Sequence, residues 1–165
     1  MNWKITPADI ESAEAVATVR AYVDDIASRY YGRPATGEEI DTALAEEPDD
    51  ELAPPRGVFL LARAEGDPAR IGGCSGAKLL AGGAAELKRV WVAPHARRQG
   101  LGARLVAAAE DAARALGAAA IRLDTRSDLV EARALYARRG YLDIERYNDS
   151  PYAQHWLEKS LTTEP

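Results

Sequence analysis

The sequence has only one cysteine, Cys74, and only two histidines, His95 and His155, in 165 residues. One cysteine cannot form a disulfide within the chain, and these three residues are not arranged in the closely spaced pairs that zinc sites use. The sequence also contains no apolar run near the ~20 residues that a membrane helix requires. We therefore expect one soluble domain, residues 1–165, without a metal and without a membrane segment.

The sequence also lacks an excess of positive charge, because 26 acidic residues outnumber 21 lysines and arginines and the formal net charge is -5. A nucleic-acid-binding protein needs a basic surface to neutralise phosphates, so no nucleic-acid partner is expected. Residues 1–9 lack the basic and apolar segments of a signal peptide, which predicts a cytoplasmic protein. Cys74 has no histidine beside it in sequence and is expected to be a small core residue rather than a nucleophile.

The N-terminal third of the sequence predicts two helices. Apolar residues at steps of three and four predict a helix from about Ala8 to Tyr30. Thr36 and Glu39 have the spacing of a capping box, which predicts the start of a second, short helix that ends near Glu46. The proline-rich, acidic segment from Pro48 to Pro55 is expected to be a surface connection.

Short apolar runs predict strands at Trp3–Ile5, Val58–Ala62, Ile71–Leu80, Ala85–Val92 and Ala120–Asp124. The turn sequences Glu65–Pro68 and Ala81–Ala84 predict that the second, third and fourth of these strands form an antiparallel meander. Two further strand candidates lie between Tyr141 and Leu161.

Two later segments have helical periodicity. The first runs from Gly100 to Leu116 and is followed by Gly117, a residue suited to a helix C-terminus. The second runs from Asp128 to Arg139, with Asp128 as the expected N-cap. The order of the elements predicts an α/β fold with a mixed sheet.

The segment between the fourth predicted strand and the Gly100 helix predicts an anion site. Arg97 and Arg98 bring positive charge to the start of a helix, where backbone amides are free, and Gly100 and Gly102 let the backbone approach a phosphate. A dinucleotide fingerprint is disfavoured because Leu105 occupies the position of its third glycine, although Asp124 lies at about the right distance for a ribose-binding acid.

Two other motifs are incomplete. The segment Gly72–Lys78 is glycine-rich, but it lacks the Gly-Lys-Ser/Thr ending of a P-loop. The same segment lacks the nucleophile elbow of a serine hydrolase because Ala77 replaces the last glycine of that motif.

Three motifs together resemble the GNAT family of N-acetyltransferases. The pattern Arg97-x-x-Gly100-x-Gly102 resembles the Q/R-x-x-G-x-G/A acetyl-CoA motif of that family. The preceding segment Glu86–Val92 is similar to its fourth strand, and Leu135–Tyr141 resembles its L-Y-x-x-x-G-F/Y helix end. The resemblance covers about residues 58–161 and implies a central, mixed, mostly antiparallel sheet flanked by helices.

The resemblance implies acetyl-CoA as the co-substrate, and no metal. The backbone of Val90 and Val92 would pair with the pantetheine arm, and the amides from Arg98 to Ala103 would hold the pyrophosphate. The cofactor-binding residues implied are Val90, Trp91, Val92, Arg97, Arg98, Gln99, Gly100, Leu101, Gly102 and Ala103. The implied reaction is direct transfer of the acetyl group to a primary amine of a small molecule or peptide in a ternary complex.

The resemblance also implies the catalytic residues. Tyr136 would be the general acid that protonates the departing thiolate, although its position on a helix also suits simple packing. Glu86 is the candidate base, acting through water, because alternation along the strand places it on the face of Lys88, Val90 and Val92. An ordinary structural carboxylate remains the alternative for Glu86.

The acceptor amine is not readable from the sequence. The family places the acceptor between the first helices and the last strands, where four tyrosines and five acidic residues are candidates: Tyr30, Tyr31, Tyr147, Tyr152, Asp24, Asp25, Glu38, Glu39 and Asp41. The alternatives are an acyl-CoA-binding regulatory or catalytically degenerate domain, and an acyltransferase that uses a longer acyl-CoA. A homodimer is common in such domains, and the sequence leaves the oligomeric state open.

Overall fold

The computed structural model describes residues 2–162 as one seven-stranded sheet with four α-helices. The strands are β1 (Trp3–Pro7), β2 (Gly57–Ala64), β3 (Asp67–Leu79), β4 (Ala85–Val92), β5 (Ala120–Thr125), β6 (Leu142–Asp143) and β7 (His155–Ser160). The helices are α1 (Ala13–Tyr31), α2 (Gly37–Glu46), α3 (Leu101–Ala115) and α4 (Val130–Arg138), with a 3-10 turn at Pro94–Ala96. Within residues 2–162 none of the helices has the length and apolarity of a membrane span.

The strand order is β1-β2-β3-β4-β5-β7-β6. The β4–β5 pair is parallel and the other neighbouring pairs are antiparallel. The predicted mixed, mostly antiparallel sheet is therefore confirmed, as is the meander of β2, β3 and β4. The parallel pair follows from the chain path, since α3 carries the chain back from the end of β4 to the start of β5.

Two predicted helix starts differ from the structure. Helix α1 begins at Ala13 rather than near Ala8, because the Ser12 side chain accepts the Ala15 amide and caps the helix there. The predicted N-cap at Asp128 is wrong, because its carboxylate binds the Arg126 guanidinium and the helix begins at Val130. The capping box of Thr36 and Glu39 is present at α2 as predicted.

Side-chain alternation along β2 divides the core into two layers. Leu60 packs on one face with α3 residues such as Val106 and with Tyr136 of α4. Phe59 and Leu61 pack on the other face with Val23 of α1 and with α2. Each fully buried aliphatic side chain of this kind contributes roughly 1.5–3 kcal/mol. The sheet is thus covered on both faces, by α3 and α4 on one side and by α1 and α2 on the other.

The parallel pair β4–β5 is short. It pairs only Ala85 with Ile121 and Glu86 with Arg122, although β4 continues to Val92 and β5 to Thr125. Beyond Glu86 the two strands separate. Their C-terminal halves therefore border an opening in the middle of the sheet rather than a continuous ladder.

A buried carboxylate ties α3 to the C-terminal part of the chain. Glu110 is 1% exposed, and its oxygens accept hydrogen bonds from Tyr141 Oη at 2.9 Å, from Lys159 Nζ at 3.0 Å and from the Arg139 guanidinium. Two cations and a hydroxyl thus offset the cost of burying one negative charge. The contacts join α3 to the residues after α4 and to β7.

The substitution Glu110→Ala should lower the free energy of unfolding by about 3 kcal/mol, because it leaves a buried hydroxyl and two partly buried cations without their acceptor. Urea unfolding followed by tryptophan fluorescence would measure the change. The matched control is Asp111→Ala, which removes the neighbouring but exposed carboxylate and should change stability by less than about 0.5 kcal/mol. Equal effects of the two substitutions would contradict a structural role for Glu110.

Candidate functional site

Arg89 forms a bulge in β4. Its φ is +57°, a backbone conformation that residues other than glycine rarely adopt, and the pairing of β3 with β4 shifts register at this point. The Arg89 side chain is 6% exposed, and its Nε lies 2.7 Å from Asp49 Oδ1, while its Nη2 donates to the Glu47 carbonyl. On the β3 side, Cys74 Sγ donates to the Arg89 carbonyl. The bulge is therefore held from both sides.

The bulge overturns the expected alternation along β4. Lys88 is the register partner of Gly76 and Trp91 is the partner of Cys74, so Lys88 and Trp91 share a face of the sheet. Glu86 shares that face with Lys88, as predicted. Val90 and Val92 point to the opposite face, where they pack near α3, so the premise that placed them with Glu86 is wrong.

A cleft of about 770 Å³ occupies the opening between β4 and β5. Its walls include α3, α4 and the middle of α1. Of the predicted cofactor-binding residues, the structure places nine on this cleft: Val90, Trp91, Val92, Arg97, Arg98, Gly100, Leu101, Gly102 and Ala103. Gln99 is not among the lining residues within the described chain, and its side chain instead accepts the Trp3 indole N–H at 3.1 Å.

The N-terminus of α3 presents free amides to the cleft. Gly100 is the N-cap with φ +75° and no side-chain cap, and the first amide bonded back into the helix is that of Arg104. The N–H groups of Leu101, Gly102 and Ala103 therefore have no backbone acceptor within the described residues. A Cβ added at Gly102 would lie 3.3 Å from the Leu135 side chain of α4, so any larger residue here would require Leu135 to shift by a few tenths of an ångström.

Four arginines give the outer part of the cleft a positive potential: Arg29, Arg97, Arg98 and Arg138. Arg97 is partly neutralised, because its Nη2 lies 2.7 Å from Asp25 Oδ2 and its Nε donates to the Val92 carbonyl. Arg29 lies 3.1 Å from Glu131. Sequence reasoning missed Arg29 and Arg138, because each lies on a helix far in sequence from the glycine segment.

Tyr136 lies at the inner end of the cleft. The residue is 7% exposed, and its ring packs edge-on against Tyr141 with 5.6 Å between ring centroids. Burial raises the pKa of the Tyr136 phenol, and the nearby carboxylate of Asp124 raises it further. The phenol therefore stays protonated at neutral pH, which a proton donor requires.

Glu86 lies beneath the cleft rather than on its wall. It is 5% exposed and is not among the lining residues of the described chain. Its Oε2 accepts from Tyr147 Oη at 2.7 Å and from Asn148 Nδ2 at 3.4 Å, and its Oε1 lies 3.7 Å from Lys88 Nζ. Sequence reasoning missed Asn148, which shares its amide between Glu86 and Asp124, with 2.7 Å from Nδ2 to Asp124 Oδ2.

A second cavity, of about 260 Å³, lies between α1, α2 and the segment before β7. Three of the four candidate tyrosines meet here, with ring centroids 5.2 Å apart for Tyr30 and Tyr31 and 5.3 Å apart for Tyr30 and Tyr152. Tyr147 is not part of this group, since it binds Glu86. The two cavities share five lining residues: Ile26, Glu47, Arg89, Arg126 and Tyr152.

The predicted acidic residues are dispersed. Glu38 and Glu39 line the second cavity and Asp25 lines the first. Asp41 instead forms an ion pair with Arg20 at 2.7 Å, and Asp24 accepts from Ser28. Among residues 2–162, no three His, Cys, Asp or Glu side chains are grouped so that they could hold a metal ion.

Comparison with known sequences identifies relatives. A Schizosaccharomyces pombe protein described as an uncharacterized N-acetyltransferase is 34% identical over 122 residues, which are 73% of this chain and 73% of the yeast protein. A protein of Azospirillum brasilense named as an IAA acetyltransferase is 39% identical over 93 residues, 56% of this chain and 59% of that protein.

Solved structures share the fold over nearly the whole chain. A Klebsiella pneumoniae protein described as a putative acyl-CoA N-acyltransferase superposes with a TM-score of 0.72 and 28% identity, covering 97% of this chain and 98% of that one. The PaiA N-acetyltransferase of Thermoplasma acidophilum, solved in complex with coenzyme A, has a TM-score of 0.71 at 20% identity, covering 97% and 99%.

The sequence model of the acetyltransferase (GNAT) family matches residues 19–141. This range contains α3 and its glycine segment, both strands that border the opening, and Tyr136. The match extends through most of α1, further toward the N-terminus than the motifs in the sequence had indicated. The chain therefore belongs to the GNAT family of acetyltransferases.

Proposed function

We propose that the protein transfers the acetyl group of acetyl-CoA to a primary amine by direct attack in a ternary complex. The observation that carries this proposal is the opening between β4 and β5. It joins the free amides at the N-terminus of α3 to the buried phenol of Tyr136. A long ligand with a phosphate part and a reactive end fits such a cleft.

The residues on the cleft suit coenzyme A. The amides of Leu101, Gly102 and Ala103, with the helix dipole behind them, are the anion site for the pyrophosphate. Beyond Glu86, β4 has no strand partner on the β5 side in the described chain, so its backbone there is available to the amide groups of a pantetheine arm. When bound, acetyl-CoA supplies an activated acetyl group and a thiolate leaving group.

In this proposal Tyr136 protonates the leaving thiolate. Tyr136 lines the cleft, and its hydroxyl forms no hydrogen bond with another side chain among the described residues, so it is free to donate. Burial keeps the phenol neutral until the proton is needed. Removing such a donor leaves binding intact and slows only the step in which the leaving group departs.

Glu86 enters the proposal as an indirect participant in proton removal. Its carboxylate is buried and already accepts two hydrogen bonds. An amine in the cleft therefore reaches it only through other groups. The Glu86 carboxylate still lies directly behind Lys88 and Asp124, which line the cleft.

The second cavity is the proposed acceptor site, because it adjoins the cleft at Glu47 and Arg89, which line both. The cations in its wall are already paired, Arg89 with Asp49 and Arg126 with Asp128. Glu38 and Glu46 form no ion pair within residues 2–162. Together with three tyrosines, this lining favours a cationic amine on an aromatic or apolar body.

The alternative of a CoA-binding domain without catalysis is less favoured. Such a domain would need the α3 amides but not the phenol at the inner end of the cleft or the second cavity that opens beside it. A longer acyl chain would need room at the same inner end, and Tyr136 is packed against Tyr141 there.

Replacement of Gly100 by valine should abolish binding of acetyl-CoA and CoA, because it places a branched side chain at the phosphate site and strains a residue with φ +75°. Calorimetric titration would measure both ligands. The control is Gly117→Val at the other end of α3, where φ is +92° and the space is equally open. It should cost a similar ~1–2 kcal/mol of stability and leave binding unchanged. Normal CoA binding by Gly100→Val would contradict the phosphate assignment.

The substitution Tyr136→Phe should lower kcat by about two orders of magnitude, since the leaving thiolate loses its proton donor. The affinity for acetyl-CoA, measured by calorimetry, should change little because the ring is retained. Thermal unfolding of the variant checks that the buried ring still packs. If kcat is unchanged, Tyr136 has only a packing role.

The proposed acceptor class can be tested by following thiol release from acetyl-CoA with a panel of amines. We expect 2-phenylethylamine to be acetylated with a kcat/KM at least about tenfold above that of phenylalanine, whose carboxylate would face unpaired glutamates. Glu46→Gln should reduce this preference. A preference for phenylalanine would mean that the second cavity does not select acceptors by charge. Thiol release with none of the amines, despite CoA binding, would favour the non-catalytic alternative.

A further inference from the structure

The side chain of Asp124 lines the cleft, whereas the side chain of Glu86 does not. Residue Arg122 is the register partner of Glu86, and Asp124 follows Arg122 by two positions on β5, so the side chains of Glu86 and Asp124 lie on one face of the sheet. Because β5 parts from β4 just beyond Arg122, Asp124 is the carboxylate of this pair that borders the opening.

Tyr136 reaches the same opening from the opposite face. Its ring packs with Leu123, whose side chain lies on the α3 and α4 side of the sheet. Asp124, one residue later on β5, points to the α1 and α2 side. The opening thus brings a phenol from one face and a carboxylate from the other to opposite walls of the cleft, which is the arrangement that a proton donor and a proton acceptor need.

Asn148 fixes the Asp124 carboxylate. The Trp156 indole N–H can only donate, and it lies 2.9 Å from Asn148 Oδ1, so the amide nitrogen of Asn148 must face the two carboxylates. That nitrogen donates to Asp124 Oδ2 at 2.7 Å and approaches Glu86 Oε2 at 3.4 Å. No hydrogen bond to Asp124 Oδ1 is formed within residues 2–162, so this oxygen is available to a ligand.

We propose that Asp124 takes the proton from the acceptor amine, directly or through one water, and that Asn148 and Glu86 are its positioning residues. The proposal rests on the proposed acetyl transfer and assigns to Asp124 the role that the sequence had suggested for Glu86. Asp124 is the catalytic residue, since it alone of the three carries a carboxylate on the cleft.

The surroundings of Asp124 favour such a base. Burial raises its pKa above the usual range, the Asn148 hydrogen bond and Lys88 oppose the rise, and Glu86 and Glu47 add to it. The titratable groups that face it are Lys88 and Glu86 on β4, Glu47 after α2, Tyr136 on α4 and Tyr147 before β7. A carboxylate with a raised pKa is a stronger base than an exposed one.

The amine arrives as an ammonium ion and gives one proton to Asp124, which makes its nitrogen nucleophilic. The nitrogen loses a second proton as the amide forms and the carbon–sulfur bond breaks. This second proton replaces the one that Tyr136 gives to the thiolate. Asp124 then releases its proton to solvent, so that each turnover yields amide, thiol and one free proton.

Two amines of different basicity test the proposal. At neutral pH 2-phenylethylamine is protonated, whereas its 2,2-difluoro analogue is mostly neutral and needs no base. The rate constant kcat/KM would be measured against pH with both amines for wild type, Asp124→Asn, Glu86→Gln and Asp111→Asn. Asp111 is an exposed carboxylate on α3, and its variant controls for the chemical change itself.

For 2-phenylethylamine, Asp124→Asn should lower kcat/KM about 100-fold. Its pH profile should also lose the acidic limb, which is the fall in kcat/KM at low pH that protonation of the Asp124 carboxylate causes in wild type. For the difluoro analogue the loss should be less than about tenfold. Glu86→Gln should keep the limb but move it to lower pH, since removing a neighbouring negative charge lowers the pKa of Asp124. Asp111→Asn should behave as wild type.

Three results would overturn the proposal. Equal losses with both amines would mean that Asp124 only supports the structure, and an unchanged Asp124→Asn profile would remove it from proton transfer. If Glu86→Gln, and not Asp124→Asn, loses the acidic limb of the pH profile of kcat/KM, then Glu86 is the base. Failure of the proposed function is distinguishable, because wild type would then bind CoA without acetylating any amine, and a catalytic Asp124 would fall with it.

Discussion

The buried ion pair between Arg89 and Asp49 is the contact on which the architecture of the site depends. Arg89 has a positive φ, a conformation with a cost of about 1–3 kcal/mol that persists only where surrounding contacts hold it. Its side chain is anchored to the segment after α2, so the bulge in β4 is coupled to the helices on that face. The bulge lies three residues beyond Glu86, where pairing with β5 ends, so it falls in the part of β4 that borders the opening.

The divergence gives one cleft access to both faces of the sheet. Tyr136 enters it from the α3 and α4 side, and Asp124 from the side of α1 and α2. Arginines line the cleft near the N-terminus of α3, and the carboxylates of Glu47 and Asp124 line it near β5 together with Lys88 and Arg89. In the proposed reaction the α3 amides bind the phosphates while Asp124 faces the amine, which would align the two reactants before any bond changes.

Most of the elements were predictable because they depend on local pattern. The limits of β4 match the prediction, and α3 differs by one residue at each end, since both are set by strong apolar periodicity and flanking glycines. The start of α4 was not predictable from Asp128, because Arg126 competes for its carboxylate. The face of Val90 and Val92 was missed for a similar reason: the bulge at Arg89 shifts the alternation after Lys88, and Arg89 gives no local signal of one. Gln99 lies in the motif, yet its side chain is taken by Trp3, 96 positions away.

The central claim is that the opening between β4 and β5 binds coenzyme A through the N-terminus of α3. The most direct test is calorimetric titration of the wild-type protein with acetyl-CoA, CoA and NADH. We expect micromolar binding of acetyl-CoA and CoA and no heat with NADH, because the segment Arg97–Gly102 has the glycine spacing of an acetyl-CoA motif and lacks the third glycine of a dinucleotide site. Absence of CoA binding would mean that the α3 amides serve another anion.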